Sequence, residues 1–213
     1  MSQVQRRQRR KEDRPGEILE AALALFAEKG FAATRLEEVA RRAGVSKGTV
    51  YLYFASKEDL FKSLVETMVV PEVERAEFFV QNHGGTAREL LVQLVRQWWE
   101  TVGETHLCGV PKLVLAEAGN FPELARYYTE RVITRASRLI ASVIERGIAA
   151  GEFRRCDPLL TGRLLIAPLV FATIWKQSMA PFEAMDMRAF VEQHIDLFLN
   201  GLLVDREDGH AAT

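Results

Sequence analysis

The sequence has only two cysteines, Cys108 and Cys156. Two are too few for a disulfide framework or a zinc module, and a reduced, cytoplasmic protein is the expectation. Histidine is equally sparse. His106 lies two residues from Cys108, but no second closely spaced ligand pair accompanies it, and His83, His194 and His210 are scattered. No metal site is expected from that spacing. No nucleophile elbow, phosphate loop or pair of catalytic carboxylates appears. A helical enzyme is therefore the weakest function class, and no cofactor is expected. Long uncharged stretches are missing too. The longest in an apolar region, Leu164 to Trp175, is 12 residues, whereas a membrane span needs about 18. No membrane association is expected. The basic N-terminus is not followed at once by an apolar run, so it is no secretory signal. No segment of useful length alternates apolar and polar residues, and no internal repeat is present.

What is present is a charge imbalance hidden by the net charge of −1. Residues 1–57 carry 12 Lys/Arg against 7 Asp/Glu, and residues 58–213 carry 16 against 22. A basic quarter on an acidic chain points to a polyanionic partner. Residues 1–14 are crowded with arginine and lack apolar periodicity. They read as a flexible basic arm, which either follows a nucleic-acid groove or solvates a tail.

From Ile18 onward the pattern is helical throughout. A first helix ends at Gly30. Thr34 to Glu37 reads as a capping box opening a short second helix that ends near Ala43. A third runs from about Lys47 to Phe54, and Ser56 caps a fourth, which Pro71 bends or interrupts. Further helices start at Thr86, after Gly109 and Pro111, at Asn120 as cap, at Asp157 and at Asp186. The helix from Asn120 should reach Ala150, and the helix after Asp157 should kink or break at Pro168. The fold class is all-α, with about nine helices.

The second and third helices form a helix-turn-helix candidate. Ala40 is small enough for close crossing, Gly44 supplies the left-handed turn and Val50 plugs one helix against the other. The alternative is an ordinary tight corner between two helices. The third helix carries chemistry suited to DNA. Ser46, Lys47, Thr49, Tyr51 and Tyr53 offer hydroxyls, an ammonium and aromatic edges, and Gly48 permits close backbone approach. One of the two tyrosines is as well suited to core packing, and Phe54 is expected inside.

These residues resemble the TetR family of bacterial transcriptional regulators. The resemblance rests on Ile18 to Phe31, on Ala33-Thr34, on Val39-Ala40, on Ala43 to Phe54 and on Ser56 to Leu60, and it is dense over residues 15–66. It implies a homodimer in which residues 15–60 form a DNA-binding head and residues 61–213 bind an effector and dimerise. It also implies DNA contacts at Thr34, Arg35, Ser46, Lys47, Gly48, Thr49, Tyr51, Tyr53 and Lys57. Position 53 is often histidine in the family and is tyrosine here.

The resemblance places an effector among the middle helices, where Trp98, Trp99, Tyr127, Phe171 and Trp175 would wall a pocket for a small, mostly apolar molecule. Gln97, Thr101, Arg131 and Gln177 are the nearest polar groups. Core packing is the competing reading for all five aromatics. The helix after Asp157 is apolar on two sides. Leu160, Leu164, Ala167, Phe171 and Trp175 form one stripe, and Leu165, Leu169, Ala172 and Thr173 the other. With Phe190, His194, Leu197 and Phe198 of the last helix, it predicts a four-helix dimer interface. The reading is a cytoplasmic, ligand-responsive repressor that binds a palindromic double-stranded DNA operator as a dimer. The alternatives are a helix-turn-helix regulator without a small effector and, more remotely, a helical enzyme or binding protein.

Overall fold

Helices make up every extended element of the computed structural model, which describes the backbone of residues 3–203 and the side chains of residues 14–203. They are α1 (Gln3–Lys29), α2 (Leu36–Arg42), α3 (Lys47–Tyr53), α4 (Lys57–Leu64), α5 (Val70–Asn82), α6 (Ala87–Trp98), α7 (Gly109–Glu117), α8 (Pro122–Tyr128), α9 (Thr134–Ala149), α10 (Pro158–Ser178) and α11 (Met187–Leu202). Extended pairing among the described residues is confined to one antiparallel bridge, Phe153 to Leu203.

Three π turns punctuate the rods. Val65–Val69 joins α4 to α5, Trp99–Gly103 extends α6, and Thr129–Ile133 joins α8 to α9. The first lies just before Pro71, whose ring lacks an N–H and crowds the preceding turn. The chain accommodates it by widening, with the Val70 N–H reaching back to the Val65 carbonyl. At the second, a side chain on Gly103 would overlap the Trp99 ring. Counted as continuous rods, α4–α5 and α8–α9 bring the total to the nine expected.

Side chains set most boundaries. Ser46, Ser56, Thr86, Asp157 and Asp186 each accept from a backbone N–H three residues on. Two expected caps differ. The N-cap of α2 is Arg35, whose backbone N–H donates to Glu38 Oε2 at 3.3 Å, because Thr34 faces inward. The cap of α8 is Phe121, and Asn120 instead donates from Nδ2 to Glu117 Oε2 at 3.2 Å. Nor does Pro168 break α10, which continues unbroken to Ser178. The supposed arm differs as well. Helix α1 reaches back to Gln3, because arginine, lysine and glutamine favour helix and extending a nucleated helix costs little. The side chains of residues 1–13, with their arginines, lie outside the described residues, as do residues 204–213.

Two apolar cores result. The first joins Ile18, Phe26 and Phe31 of the head to Leu60, Phe61 and Leu64 of α4, and continues to Leu113 and Leu124 of α7 and α8. Phe31 is its hub, with ring centroids 5.2 Å from Phe26, 5.9 Å from Phe61 and 4.7 Å from Phe121. Burying each such ring stabilises by about 1.5–3 kcal/mol. The expected head boundary at residue 60 thus falls inside α4, whose apolar face belongs to the head core. The second core holds Leu90, Leu91, Ile144, Leu165, Leu169 and Leu199 from α6, α9, α10 and α11.

Candidate functional site

The turn between α2 and α3 has the geometry its residues require. Gly44 has φ +65°. Its N–H donates to the Arg41 carbonyl at 3.2 Å, and the Val45 N–H to Ala40 at 2.9 Å. This pair of bonds closes a helix over a left-handed residue, which glycine adopts without a Cβ clash. Ala40 and Val50 are buried between the helices.

The entrance of α3 faces solvent. The Ser46 hydroxyl accepts from the Thr49 N–H at 3.1 Å and lies 2.8 Å from the Thr49 hydroxyl. Lys47 is exposed and pairs with Glu37 of α2 at 2.5 Å. This bond holds the Glu37 carboxyl below its usual range. The Lys47 ammonium also lies 5.6 Å from the Tyr51 ring centroid. A side chain at Gly48 would come into ordinary van der Waals contact with the Ser46 hydroxyl at 3.8 Å, and Arg35 is exposed. The two tyrosines divide as their spacing allowed: Tyr51 is exposed, whereas Tyr53 is half-buried beside Phe54. Leu52, absent from the expected contacts, is 73% exposed on the same surface. An apolar side chain in a DNA-facing helix can meet a thymine methyl group, but its type alone gave no signal distinguishing it from core.

Two expected DNA contacts are turned inward. Thr34 is 1% exposed, and its hydroxyl donates to the Gly30 carbonyl at 2.8 Å. The Lys57 ammonium donates to the carbonyls of Phe31, Ala32 and Thr34 at 2.6, 3.0 and 3.0 Å. Three acceptors use all three of its protons. Both residues brace the loop after α1, so their place in the motif reflects the shape of the head.

The cavity lies beyond α4. It has a volume of about 130 Å³ and is lined from α5, α6, α7, α8, α9, α10 and the three π turns. Val69, Thr101, Val102 and Val132 come from the π turns, and Trp98 and Tyr128 immediately precede two of them. Of the five aromatics expected there, Trp98 alone lines it. Trp99 is buried in the second core. The Tyr127 hydroxyl donates to Glu66 at 2.5 Å. Phe171 lies exposed on the outer face of α10, and the Trp175 indole N–H donates to the Glu183 carbonyl at 3.2 Å. The residue after each of Trp98 and Tyr127 points 100° further round its helix, which here carries Trp99 into the second core and Tyr128 to the cavity. Tyr128 takes the place expected of Tyr127. Gln97 and Thr101 are at the cavity as expected, whereas Gln177 donates to Cys108 Sγ and Arg131 is committed elsewhere. The apolar lining residues, such as Val73, Leu139 and Ile166, carry no label that separates them from core in the sequence.

Arg131 donates from Nε and Nη2 to the two Glu66 oxygens at 2.7 and 2.6 Å. This fork ties the π turn below α5 to the π turn below α9. The Arg131 bonds first, then the Tyr127 hydroxyl, hold the Glu66 carboxyl down to about 2 against its desolvation. Burial, then Glu66, pushes the Tyr127 phenol up to about 12. Next to it, Arg135 donates to both Glu77 oxygens at 3.0 and 2.7 Å. No group of three or more metal-ligating side chains occurs among the described residues.

Comparison with known proteins matches both regions. Residues 18–64 match the family described as bacterial regulatory proteins, tetR family, and residues 89–201 match the C-terminal domain of AefR-like transcriptional repressors. The fatty acid metabolism regulator protein of Bacillus subtilis (strain 168) is 25% identical over 186 residues, covering 87% of this chain and 94% of its own. The transcriptional regulator YfiR of the same strain is 32% identical over 155 residues, covering 71% and 73%. The crystal structure of FadR from Bacillus subtilis in complex with stearoyl-CoA superposes with a TM-score of 0.73 at 25% identity, covering 87% of this chain and 97% of that one. KstR2 of Mycobacterium tuberculosis, described as a ketosteroid transcriptional regulator, shares the fold at 24% identity, with a TM-score of 0.71 and coverage of 90% and 96%. With its head geometry and both family matches in agreement, the chain belongs to the tetR family of bacterial regulatory proteins and is a DNA-binding transcriptional regulator.

Proposed function

We propose that this regulator is a ligand-responsive repressor that binds a near-palindromic operator as a homodimer in the cytoplasm. Arg35, Ser46, Lys47, Gly48, Thr49, Tyr51 and Tyr53 form its DNA surface, and a small, mostly apolar effector enters the cavity. The observation that carries this reading is the position of the cavity. Val69, on its wall, belongs to the π turn that continues into α4, and α4 is part of the head core. A π turn is a local widening that can revert to α geometry, so a ligand that prefers one arrangement biases the direction of α4 and with it the head. The complex of the relative FadR from Bacillus subtilis with stearoyl-CoA supports a largely apolar effector.

Homodimerisation is supported by the outer face of α10; of the α11 residues expected beside it, Leu197 is exposed, whereas Phe190 and Phe198 pack on the second core and His194 lies 2.7 Å from the Leu165 carbonyl. On α10, Leu160, Leu164, Ala167 and Phe171 are exposed along one side, while Leu165, Leu169, Ala172 and Thr173 are buried on the other. By length and composition α10 could cross a membrane, although its charge-free run is short. Its buried side is part of the second core, however, which makes it a domain helix with an uncovered outer face. The test is selection of bound sequences from random DNA with the purified protein, followed by release assays. A near-palindrome bound by two copies, with affinity lowered by an apolar compound, is the expected result. Operator binding that no compound affects, with an Ala136→Trp variant behaving as wild type, would indicate a regulator without a small effector.

A further inference from the structure

We propose that the cavity selects a compact apolar amine, whose protonated nitrogen binds Glu72. This rests on the cavity being the effector site. Among the described residues that line it, Glu72 is the one charged side chain, with no lysine, arginine or histidine. A carboxylate or phosphate drawn into this space would lose its water without a cationic partner on the wall, which is strongly unfavourable. A cation meets the reverse situation. A carboxylate has about four acceptor positions, and Arg75, at the first turn of α5 with Glu72, uses one on each oxygen. Two remain. Arg75 is 57% exposed at its side chain, against 18% for Glu72, so the arginine holds the carboxylate from the solvent side. Trp98, Tyr128 and Gln97 share the lining with Glu72, and aromatic rings attract a cation. The remaining wall is aliphatic. A dry apolar cavity of about 150 Å³ accommodates benzene, so at about 130 Å³ a branched chain or small ring of about six heavy atoms, nitrogen included, is the scale of ligand that fits.

The proposal is tested by calorimetric titration of the full chain with three small probes that share one body: 2-methylpropylamine, 2-methylpropanol and 2-methylpropanoate. The amine should bind tightest and the propanoate weakest. Glu72→Gln should weaken the amine by about tenfold or more, as expected for losing a charged hydrogen-bond partner, and leave the alcohol nearly unchanged. Arg75→Gln should act in the opposite direction and tighten the amine, because it frees Glu72. Wild-type operator affinity in both variants shows that they are folded. Equal affinity for amine and propanoate, an amine affinity indifferent to both substitutions, or no amine binding overturns the amine class. The cavity itself is tested separately by Ala136→Trp, which fills it. If the probes that bind wild type bind this variant unchanged, the effector-site reading fails as well; if they are lost, that reading stands whatever the fate of the amine class.

Discussion

Lys47 and Tyr51 stand exposed on α3, on the surface proposed to meet DNA, and Glu37 pairs with the Lys47 ammonium. Lys47→Ala should weaken operator binding and flatten its dependence on salt by about one unit of slope, since one phosphate contact is lost. Tyr51→Ala should weaken binding with the fold intact. Wild-type affinity in both, measured by fluorescence anisotropy across a salt series, would remove α3 as the reading helix. Thr34 predicts the opposite phenotype. Replacing its hydroxyl in Thr34→Val leaves the Gly30 carbonyl without its buried donor, at a cost of about 1–3 kcal/mol. Denaturant unfolding should show that loss, while the folded variant binds operator normally.

At the level of elements, the π turns are the places where the rods can change register. Two of them are fastened together by Glu66, Arg131 and Tyr127. Because the folded Glu66 carboxyl is held down to about 2 against an ordinary value of 4.5, its contribution to stability is complete above about 4.5 and disappears as pH falls toward about 2. Wild type should therefore lose stability relative to Glu66→Gln across that window, and the gap should be constant at neutral pH. Thermal unfolding at a series of pH values measures it. An unchanged gap down to pH about 2 would show that the fork contributes nothing to folding. If the fork also restrains α4, Glu66→Gln should alter the response of operator binding to ligand more than operator binding itself.

For the whole molecule, the uncovered stripe on α10 is the largest-scale prediction. Leu164 is 60% exposed, in line with Leu160 and Phe171. An apolar row of this length in a helix already packed on its inner side is suited to a second copy. Leu164→Asp places a charge in that interface. Sedimentation at micromolar concentration should show a dimer for wild type and a monomer for the variant, with operator affinity falling together with dimerisation. A wild-type monomer would contradict the interface.

The sequence alone was enough for the all-α class, the helix-turn-helix and its Ala40, Gly44 and Val50 triad, because periodicity, caps and a left-handed turn are local properties that a few neighbouring residues impose. The two faces of α10 were legible for the same reason. Which side of the fold a residue meets was not local. Thr34 and Lys57 look like surface donors until the loop after α1 folds over and offers them carbonyls. Trp98 and Trp99 are adjacent in sequence, yet one reaches the cavity and the other the core, because a single helical step turns a side chain through about 100°. The cavity wall was hidden for a further reason. It is built mainly of valine, leucine and isoleucine from helices distant in sequence, and an aliphatic residue beside an empty space is chemically identical to one beside a neighbour. Only the packing of the rods, spaced by three π turns, determines where that space is left and that Glu72 is among the residues lining it.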